Sequence, residues 1–493
     1  MESSSQPTNL EEARASSGIA GLDDILGGGL MPDRIYLVQG DPGVGKTTLA
    51  FQFLLEGVRR GEKVFYITMA ETQEELLQMV RSHGWSMDGI DLYEMSASEQ
   101  LKADSQHTIF HPAEVELAET MKTVLEAVKR AQPTRVVFDS LSELRVLAGE
   151  SHQYHRQILS FKQFFNDFPC TVLLLDSCVS ETDNILLRSL AHGVLVLEQM
   201  ALEYGQERRR LRVLKVRGQG FRGGYHDYII GKGGLRVFPR LVPSEYRHSF
   251  KSEIIPSGIA ELDEMLGGGL HRGTNLLLVG PPGAGKTTTA LQYVVSAARR
   301  GERAAVYSFD QSLHTLHERA LGMGSDLTAF IDAGLINLQQ VDPVELSPGE
   351  FVYNVRQAVE QDGAGLVVID SLNGYVNAMP EERFLILQMH ALLTYLGQKE
   401  VTTLLVNATA IVESQGAAID ISYLTDSTLL FRYFELRGEI RQAIAVLKSR
   451  TGAHERLIRE LRITATGISI GQPLRELHGV VMRGAVYDAP RNE

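Results

Sequence analysis

The chain repeats itself. SGIAGLDDILGGGL, beginning at Ser17, returns as SGIAELDEMLGGGL at Ser257, and Lys46 and Lys286 stand the same 240 residues apart. RRGEKVFY from Arg59 and RRGERAAVY from Arg299 keep that offset. Farther on, RVVFDSLSE from Arg135 matches LVVIDSLNG from Leu366, where Asp139 and Asp370 are 231 apart. The first copy therefore carries about nine additional residues, expected in a surface loop. LRVLKVRG and IAVLKSRTG then set Lys215 against Lys448. A repeat this long is a duplicated domain, too large for one unit of a solenoid, so any fold proposed for one half must serve the other.

Within each copy, short β-rich apolar runs alternate with longer amphipathic segments, the pattern of an α/β domain whose mostly parallel twisted sheet is covered by helices. RIYLVQG predicts a strand, KTTLAFQFLLEGVRR a helix ending at Gly61, and KVFYIT the next strand. Thr72 and Glu75 form a capping-box pattern that opens the helix QEELLQMVRSHG. TRVVFDS and TVLLLDS read as further buried strands. Prolines and charges interrupt the pattern in RLVPSEYRHSFKSEIIPSG. The expected organisation is two domains, 17–245 and 257–479, joined by a linker over 246–256, with short tails at 1–16 and 480–493.

A chain of 493 residues has room for two such domains. Its net charge of −13 offers no long-range attraction to nucleic acid phosphates, so a nucleic acid partner is not expected. Cys170 and Cys178 show neither CxxC nor zinc spacing and read as core residues. No apolar run approaches the length of a membrane span, and MESSSQPTNLEEARASS lacks the regions of a signal peptide. A cytoplasmic protein that does not enter a membrane is expected.

The chemistry is concentrated in two loops. Gly40, Asp41, Pro42, Gly43, Val44, Gly45, Lys46, Thr47 and Thr48 form one GxxxxGK[ST] stretch. Gly280, Pro281, Pro282, Gly283, Ala284, Gly285, Lys286, Thr287 and Thr288 form the other. Glycines let backbone N–H groups turn inward around phosphate oxygens, the lysine neutralises the β and γ phosphates, and the threonine hydroxyl ligates magnesium. Each loop lies between a predicted strand and a predicted helix, as that mechanism requires. Asp139 and Asp370 end apolar strands and are candidates to hold Mg2+ with Thr47 and Thr287. Hydrolysis also needs a group that orients or deprotonates the attacking nucleophile. The first copy offers Glu71 in YITMAET; in the second, VYSFDQS sets Gln311 against Glu71 and Asp310 against Ala70. Lys215 with Arg217, and Lys448 with Arg450, are spaced so that two cations on one strand face can meet one anion.

The paired GLDDILGGGL and ELDEMLGGGL elements, the two P-loops, the FDS and IDS strands, the KVRG and KSRTG pairs and the late DISYLTDSTLLFRYFE together resemble the tandem KaiC-type ATPases of the RecA-like superfamily, from about Ser17 to Gly479. That resemblance implies two RecA-like domains, each forming one tier of a two-tiered homohexamer with ATP between adjacent subunits. It implies that Lys215, Arg217, Lys448 and Arg450 reach a neighbour's γ-phosphate, that the first tier hydrolyses ATP slowly, and that the second moves phosphate to and from a Ser/Thr pair. By motif alignment the pair falls on Ser422 and Tyr423, with tyrosine in place of threonine, so Ser422 is the expected phosphosite and Tyr423 is expected to pack or stay unmodified. Two adjacent acidic residues expected after the second strand appear as Ala70 with Glu71 and as Asp310 with Gln311, which assigns the kinase base to Asp310. The segment after Gly479 is shorter than the tail that the cyanobacterial clock protein offers its activating partner, so regulation by that partner is not implied.

Three readings follow. The leading one is an ATP- and Mg2+-dependent hexameric ATPase and serine autokinase serving as a slow switch or timer for protein partners. A RecA-like DNA recombinase or helicase shares the early motifs, and a scaffold in which ATP only joins subunits is the third.

Overall fold

The structure, a computed structural model, describes residues 14–69, 71–95, 112–148, 151–177, 181–201, 205–246, 253–342, 344–377, 382–408, 422–475, 477–478 and 486–487. Ala70, Cys178, Ile421, most of the expected linker and nearly all of both tails lie outside these residues. The chain divides into two bodies after Arg240.

The first body is built on nine strands: β1 (Ile35–Gln39), β2 (Val64–Thr68), β3 (Ile90–Glu94), β4 (Arg135–Asp139), β5 (Thr171–Asp176), β6 (Gly193–Met200), β7 (Arg208–Val216), β8 (His226–Gly231) and β9 (Gly234–Phe238). They lie side by side in the order β3-β2-β4-β5-β1-β6-β7-β8-β9. The strands from β3 to β6 are parallel, and β7, β8 and β9 turn back as an antiparallel meander.

In the second body, the antiparallel pair of β10 (Ile254–Ile255) and β11 (Leu270–His271) precedes β12 (Asn275–Val279), β13 (Arg303–Ser308), β14 (Ile336–Gln340), β15 (Ala364–Asp370), β16 (Thr402–Asn407), β17 (Ser427–Leu436), β18 (Glu439–Ser449), β19 (Arg459–Thr464) and β20 (Gly467–Pro473). Their order, β14-β13-β15-β16-β12-β17-β18-β19-β20, reproduces the first sheet strand for strand.

Strand side chains alternate between faces, and both faces are covered. Tyr36 and Val38 of β1 enter a cluster with Leu49, Phe53 and Leu195, while Ile35 and Leu37 enter another with Phe138, Phe161 and Phe165. On β12, Leu276 and Leu278 divide from Leu277 and Val279 in the same way. This two-sided burial explains why the central strands read as continuous apolar runs. Cys170 is buried in the second of the first body's clusters, where desolvation pushes its thiol pKa well up.

Two boundaries differ from the sequence reading. The segment from Leu241 to Tyr246, counted there mainly with the first domain, packs on the second body: Leu241 is buried among Leu277, Leu392 and Leu396, and the Tyr246 ring meets Tyr395 edge-on at 4.9 Å. Proline and charge signals marked an irregular segment but carried no information about which core receives it. The first copy's surplus falls between β3 and β4, partly before the helix Pro112–Ala131 and partly within it, 20 residues against 13 in Pro348–Glu360, but the second has its own addition, the short helix Thr328–Asp332 between β13 and β14. The difference of about nine residues is therefore a net value.

Candidate functional site

Each P-loop joins a central strand to the helix that follows, Lys46–Arg59 or Lys286–Arg299. The glycine at each helix entry has a left-handed backbone, φ 94° at Gly45 and 104° at Gly285. A side chain is disfavoured there on conformational grounds, and space is also lacking: a Cβ would lie 2.6 Å from Ile230 in the first body and 2.9 Å from Leu461 and Ile463 in the second. Lys46 Nζ donates to the carbonyls of Gly40 and Asp41 at 2.7 and 3.0 Å, and Lys286 Nζ to those of Gly280 and Pro281 at 2.7 and 2.8 Å. Both ammonium groups thus stand over the loop at the helix N-terminus, where phosphate is favoured. In the first body this loop forms one wall of a cleft of about 650 Å³ whose lining includes Gly43, Lys46, Thr47, Glu71, Asp139 and Glu143.

The strand-ending aspartates arrive at the loops as expected. Thr47 Oγ1 donates to Asp139 Oδ2 at 2.9 Å, and the Tyr66 hydroxyl donates to the same oxygen at 2.6 Å. Burial raises the Asp139 pKa, opposed by the bonds from Tyr66 and Thr47 and by Lys46. In the second body Val306 stands where Tyr66 would be, and buried Asp370 has an Oδ2 without a hydrogen-bond partner among the described residues. Burial likewise raises the Asp370 pKa, opposed by Thr287. A hydroxyl beside a carboxylate oxygen suits a hard cation, and Mg2+ commonly takes only one or two protein oxygens together with phosphate and water. Thr47 with Asp139, and Thr287 with Asp370, therefore fit that role.

The two sites differ in the groups beyond the phosphate cradle. Glu71 lines the first cleft, held by its backbone: its N–H donates to Thr68 Oγ1 at 3.1 Å, and that hydroxyl donates to the Glu71 carbonyl at 2.9 Å. The helix cap is Thr72, with the full reciprocal box to Glu75, so the Glu71 carboxylate is not used as a cap. Desolvation, then the charges of Asp139, Glu75 and Glu143, raise its pKa. The equivalent Gln311 has a buried Oε1 without a partner among the described residues, and Asp310 accepts a short hydrogen bond from Ser371.

The basic pairs lie away from their own phosphate loops. Lys215 pairs in register with Val194 at the start of β6, which is beside Tyr36 and Leu37 at the start of β1, whereas the loop follows Gln39 at the other end. At a rise of about 3.3 Å per residue, those ends are roughly 10–13 Å apart. Lys448, opposite Thr428 and Leu277, repeats the arrangement. Arg217 donates to the Ser189 carbonyl at 2.8 Å and Arg450 to the Tyr423 carbonyl at 2.9 Å, at equivalent places before β6 and β17. Lys448 Nζ donates to the Thr425 carbonyl at 2.6 Å, so the second pair converges on one turn. That turn is the 3₁₀ helix Ser422–Leu424, which opens at Ser422. Tyr423 is 52% exposed, so of the two outcomes expected for it, packing or staying unmodified, its ring does not take the first within this chain, and the neighbouring Leu424 packs against the core.

Sequence reading missed Tyr66, Glu143 and Arg209 in the first site. Each lies on a different element from the motif it meets, and the first copy's departure from the second at 66, 143 and 209 was the available signal.

Among the described residues no helix is long and apolar enough to cross a membrane. A family model described as the KaiC ATPase matches residues 15–242 and again 255–475. The circadian clock protein KaiC3 of Synechocystis sp. is 28% identical over 487 residues, covering 97% of this chain and 95% of the relative. The circadian clock oscillator proteins KaiC of Thermostichus vulcanus and Synechococcus elongatus are each 26% identical, covering 98% and 96% of this chain and 93% of each relative. With two nucleotide-binding P-loop bodies of one topology, each matched by the same family model, the chain belongs to the KaiC family of ATPases.

Proposed function

We propose that both bodies bind Mg-ATP, that copies of the chain assemble in the cytoplasm into a two-tiered homohexamer with nucleotide between neighbours, and that the two tiers use the nucleotide differently. The observation that carries this reading is the position of the basic pairs. Lys215, Arg217, Lys448 and Arg450 lie at the opposite end of the sheet from their own P-loops, so the phosphate they can stabilise is one presented by another copy. Such cations offset charge developing on a transferred phosphoryl group.

In the first tier, Lys46 and the loop N–H groups hold the phosphates while Thr47 and Asp139 are placed to hold Mg2+, which would draw charge from the phosphate oxygens. Glu71 orients water and accepts its proton. In the second tier, Lys286, Thr287 and Asp370 hold the nucleotide, and Asp310 serves as base for transfer to Ser422. Gln311 cannot take up a proton in this way, so the second tier hydrolyses less. An acceptor turn tied to Lys448 and Arg450 couples phosphorylation to the subunit edge. The clock role in the relatives' names supports a slow switch or timer read by protein partners.

Interfacial nucleotide stabilises the assembled state by mass action. Stripping ATP and magnesium should therefore shift the particle mass in light scattering from the hexamer to smaller species; an unchanged mass opposes interfacial sites. With Mg-ATP, mass spectrometry should find phosphate on Ser422, absent in Ser422→Ala and Lys286→Ala and reduced in Asp310→Asn. A fully loaded second tier without phosphate would reduce that tier to a scaffold.

A further inference from the structure

In both bodies a serine follows the strand-ending aspartate, and in both its hydroxyl donates to a carboxylate. The carboxylates come from different places. Ser371 bonds to Asp310, on the loop after β13, whereas Ser140 bonds to Glu143, on the helix Leu141–Ala148 after β4. The exchange is reciprocal. Asp310 corresponds to Ala70, which has no carboxylate, and Glu143 corresponds to Gly374, which has no side chain. A Cβ at Gly374 would lie 2.4 Å from Phe309 Cβ and 2.9 Å from Asp310 Oδ1, so the second body has room for a carboxylate from the loop only while position 374 is bare.

Ser140 and Glu143 also have the spacing of a helix cap. Capping does not account for the carboxylate, because the helix Leu372–Asn377 begins after Ser371 with glycine at the corresponding position. Glu143 lines the phosphate cleft with Glu71, close enough that its charge helps to raise the Glu71 pKa.

We infer that Glu143 takes, beside Ser140, the place that Asp310 takes beside Ser371, and that in the first site this carboxylate, delivered by the helix rather than the loop, is a positioning group that orders Ser140 and the hydrolytic water beside Glu71. The inference rests on hydrolysis at the first site. There, a water oxygen bonds to the γ-phosphorus as the bond from that phosphorus to the β,γ-bridging oxygen breaks. The water proton passes to Glu71, and ADP leaves with the bridging oxygen. Glu143 neither bonds to phosphorus nor keeps the proton; it limits where the water can sit.

The test is to return the carboxylate to the loop. In the full chain carrying Lys286→Ala, which silences the second P-loop, ADP release and thermal unfolding are measured for Glu143→Gln, Glu143→Gly and Ala70→Asp with Glu143→Gly. The two single variants should lower kcat about tenfold with KM for Mg-ATP changed by about twofold or less, as for lost positioning. The transposed pair should recover most of the kcat, although Glu143→Gly and the pair should unfold at similar temperatures. Unchanged kcat in Glu143→Gln where Glu71→Gln is slow, or a transposed pair as slow as Glu143→Gly, overturns the inference alone. If Glu71→Gln is itself as fast as the parent, first-site hydrolysis falls, and the inference with it.

Discussion

The two P-loops have one fold and different surroundings. The first is open at Gly43, where a Cβ would meet nothing within 4 Å, and is tied instead at Val44, whose carbonyl accepts from the Tyr228 hydroxyl of β8 at 2.7 Å. The second is braced by the β17–β18 hairpin, where the Tyr433 hydroxyl donates to the Pro282 carbonyl at 3.1 Å and Gln442 Nε2 to the Gly283 carbonyl at 3.0 Å. A Cβ at Gly283 would lie 2.6 Å from that hydroxyl. By strand register the first body has Gln199 and Arg209 at these positions, and both turn to Glu207. Around the strand-ending aspartate the contrast is reversed: Asp139 is bonded by Thr47 and Tyr66, while Asp370 keeps a buried oxygen without a partner among the described residues. A duplicated scaffold thus keeps phosphate binding in both halves while bracing and proton chemistry diverge. Those functions belong to side chains brought in from neighbouring elements.

The largest difference should appear in turnover. Glu71→Gln keeps size and hydrogen bonding but removes the proton acceptor, so steady-state ATPase should fall by about tenfold or more. Gln311→Ala should cost less, and equal losses would erase the division between the sites.

Acid should separate the bodies next. Burial is the main cause that lowers the His192 and His226 pKa values to about 4, with nearby arginines contributing. His192 Nδ1 accepts from the Ile35 N–H at 3.2 Å; in the second body Asp426 accepts the equivalent bond from Asn275 at 3.0 Å. An unfolded histidine titrates near ~6.5. Between about pH 6.5 and 4 the unfolded chain therefore binds protons that the folded first body does not. Stability from this source is fully present above the window and lost as pH falls through it, by on the order of 1 kcal/mol per histidine after allowance for solvent screening. Hydrogen exchange read by mass spectrometry should show amides of 193–197 losing protection ahead of 427–431, and His226→Gln should reduce the slope. Parallel loss in both bodies would refute this assignment.

The smallest effect concerns the brace. Two neutral hydrogen bonds hold the second loop, so Tyr433→Phe with Gln442→Ala should weaken nucleotide binding there by about five- to tenfold, at roughly 0.5–0.7 kcal/mol each. Gln199→Ala should leave first-site affinity within about twofold, since its amide turns to Glu207 rather than to the loop. Fluorescent-nucleotide titration of the Lys46→Ala and Lys286→Ala backgrounds reads each site alone. A larger loss at the first site would invert the comparison.

Much of this protein was determined locally and was therefore legible in the chain. The glycines of each P-loop answer to backbone sterics within a few residues. Thr72 and Glu75 satisfy one helix end between themselves, and the apolar runs of β1, β4 and β5 follow from burial on both faces. Asp139 and Asp370 could be named because they end such runs. The tertiary structure alone decided what meets these residues from elsewhere: Tyr66 on Asp139 from 73 residues away, Tyr433 on Pro282 from 151, and the turns that receive Arg217 and Arg450. These contacts depend on the strand order, in which β2 lies beside β4 and β6 beside β1. Comparison of the two copies position by position also concealed the carboxylate above the serine. Alanine for aspartate at 70 and glutamate for glycine at 143 read as two unrelated changes until the fold shows Asp310 on Ser371 in one body and Glu143 on the equivalent Ser140 in the other. A hydrogen bond depends on where a carboxylate oxygen lies in space, and elements far apart in the chain can deliver it to the same point.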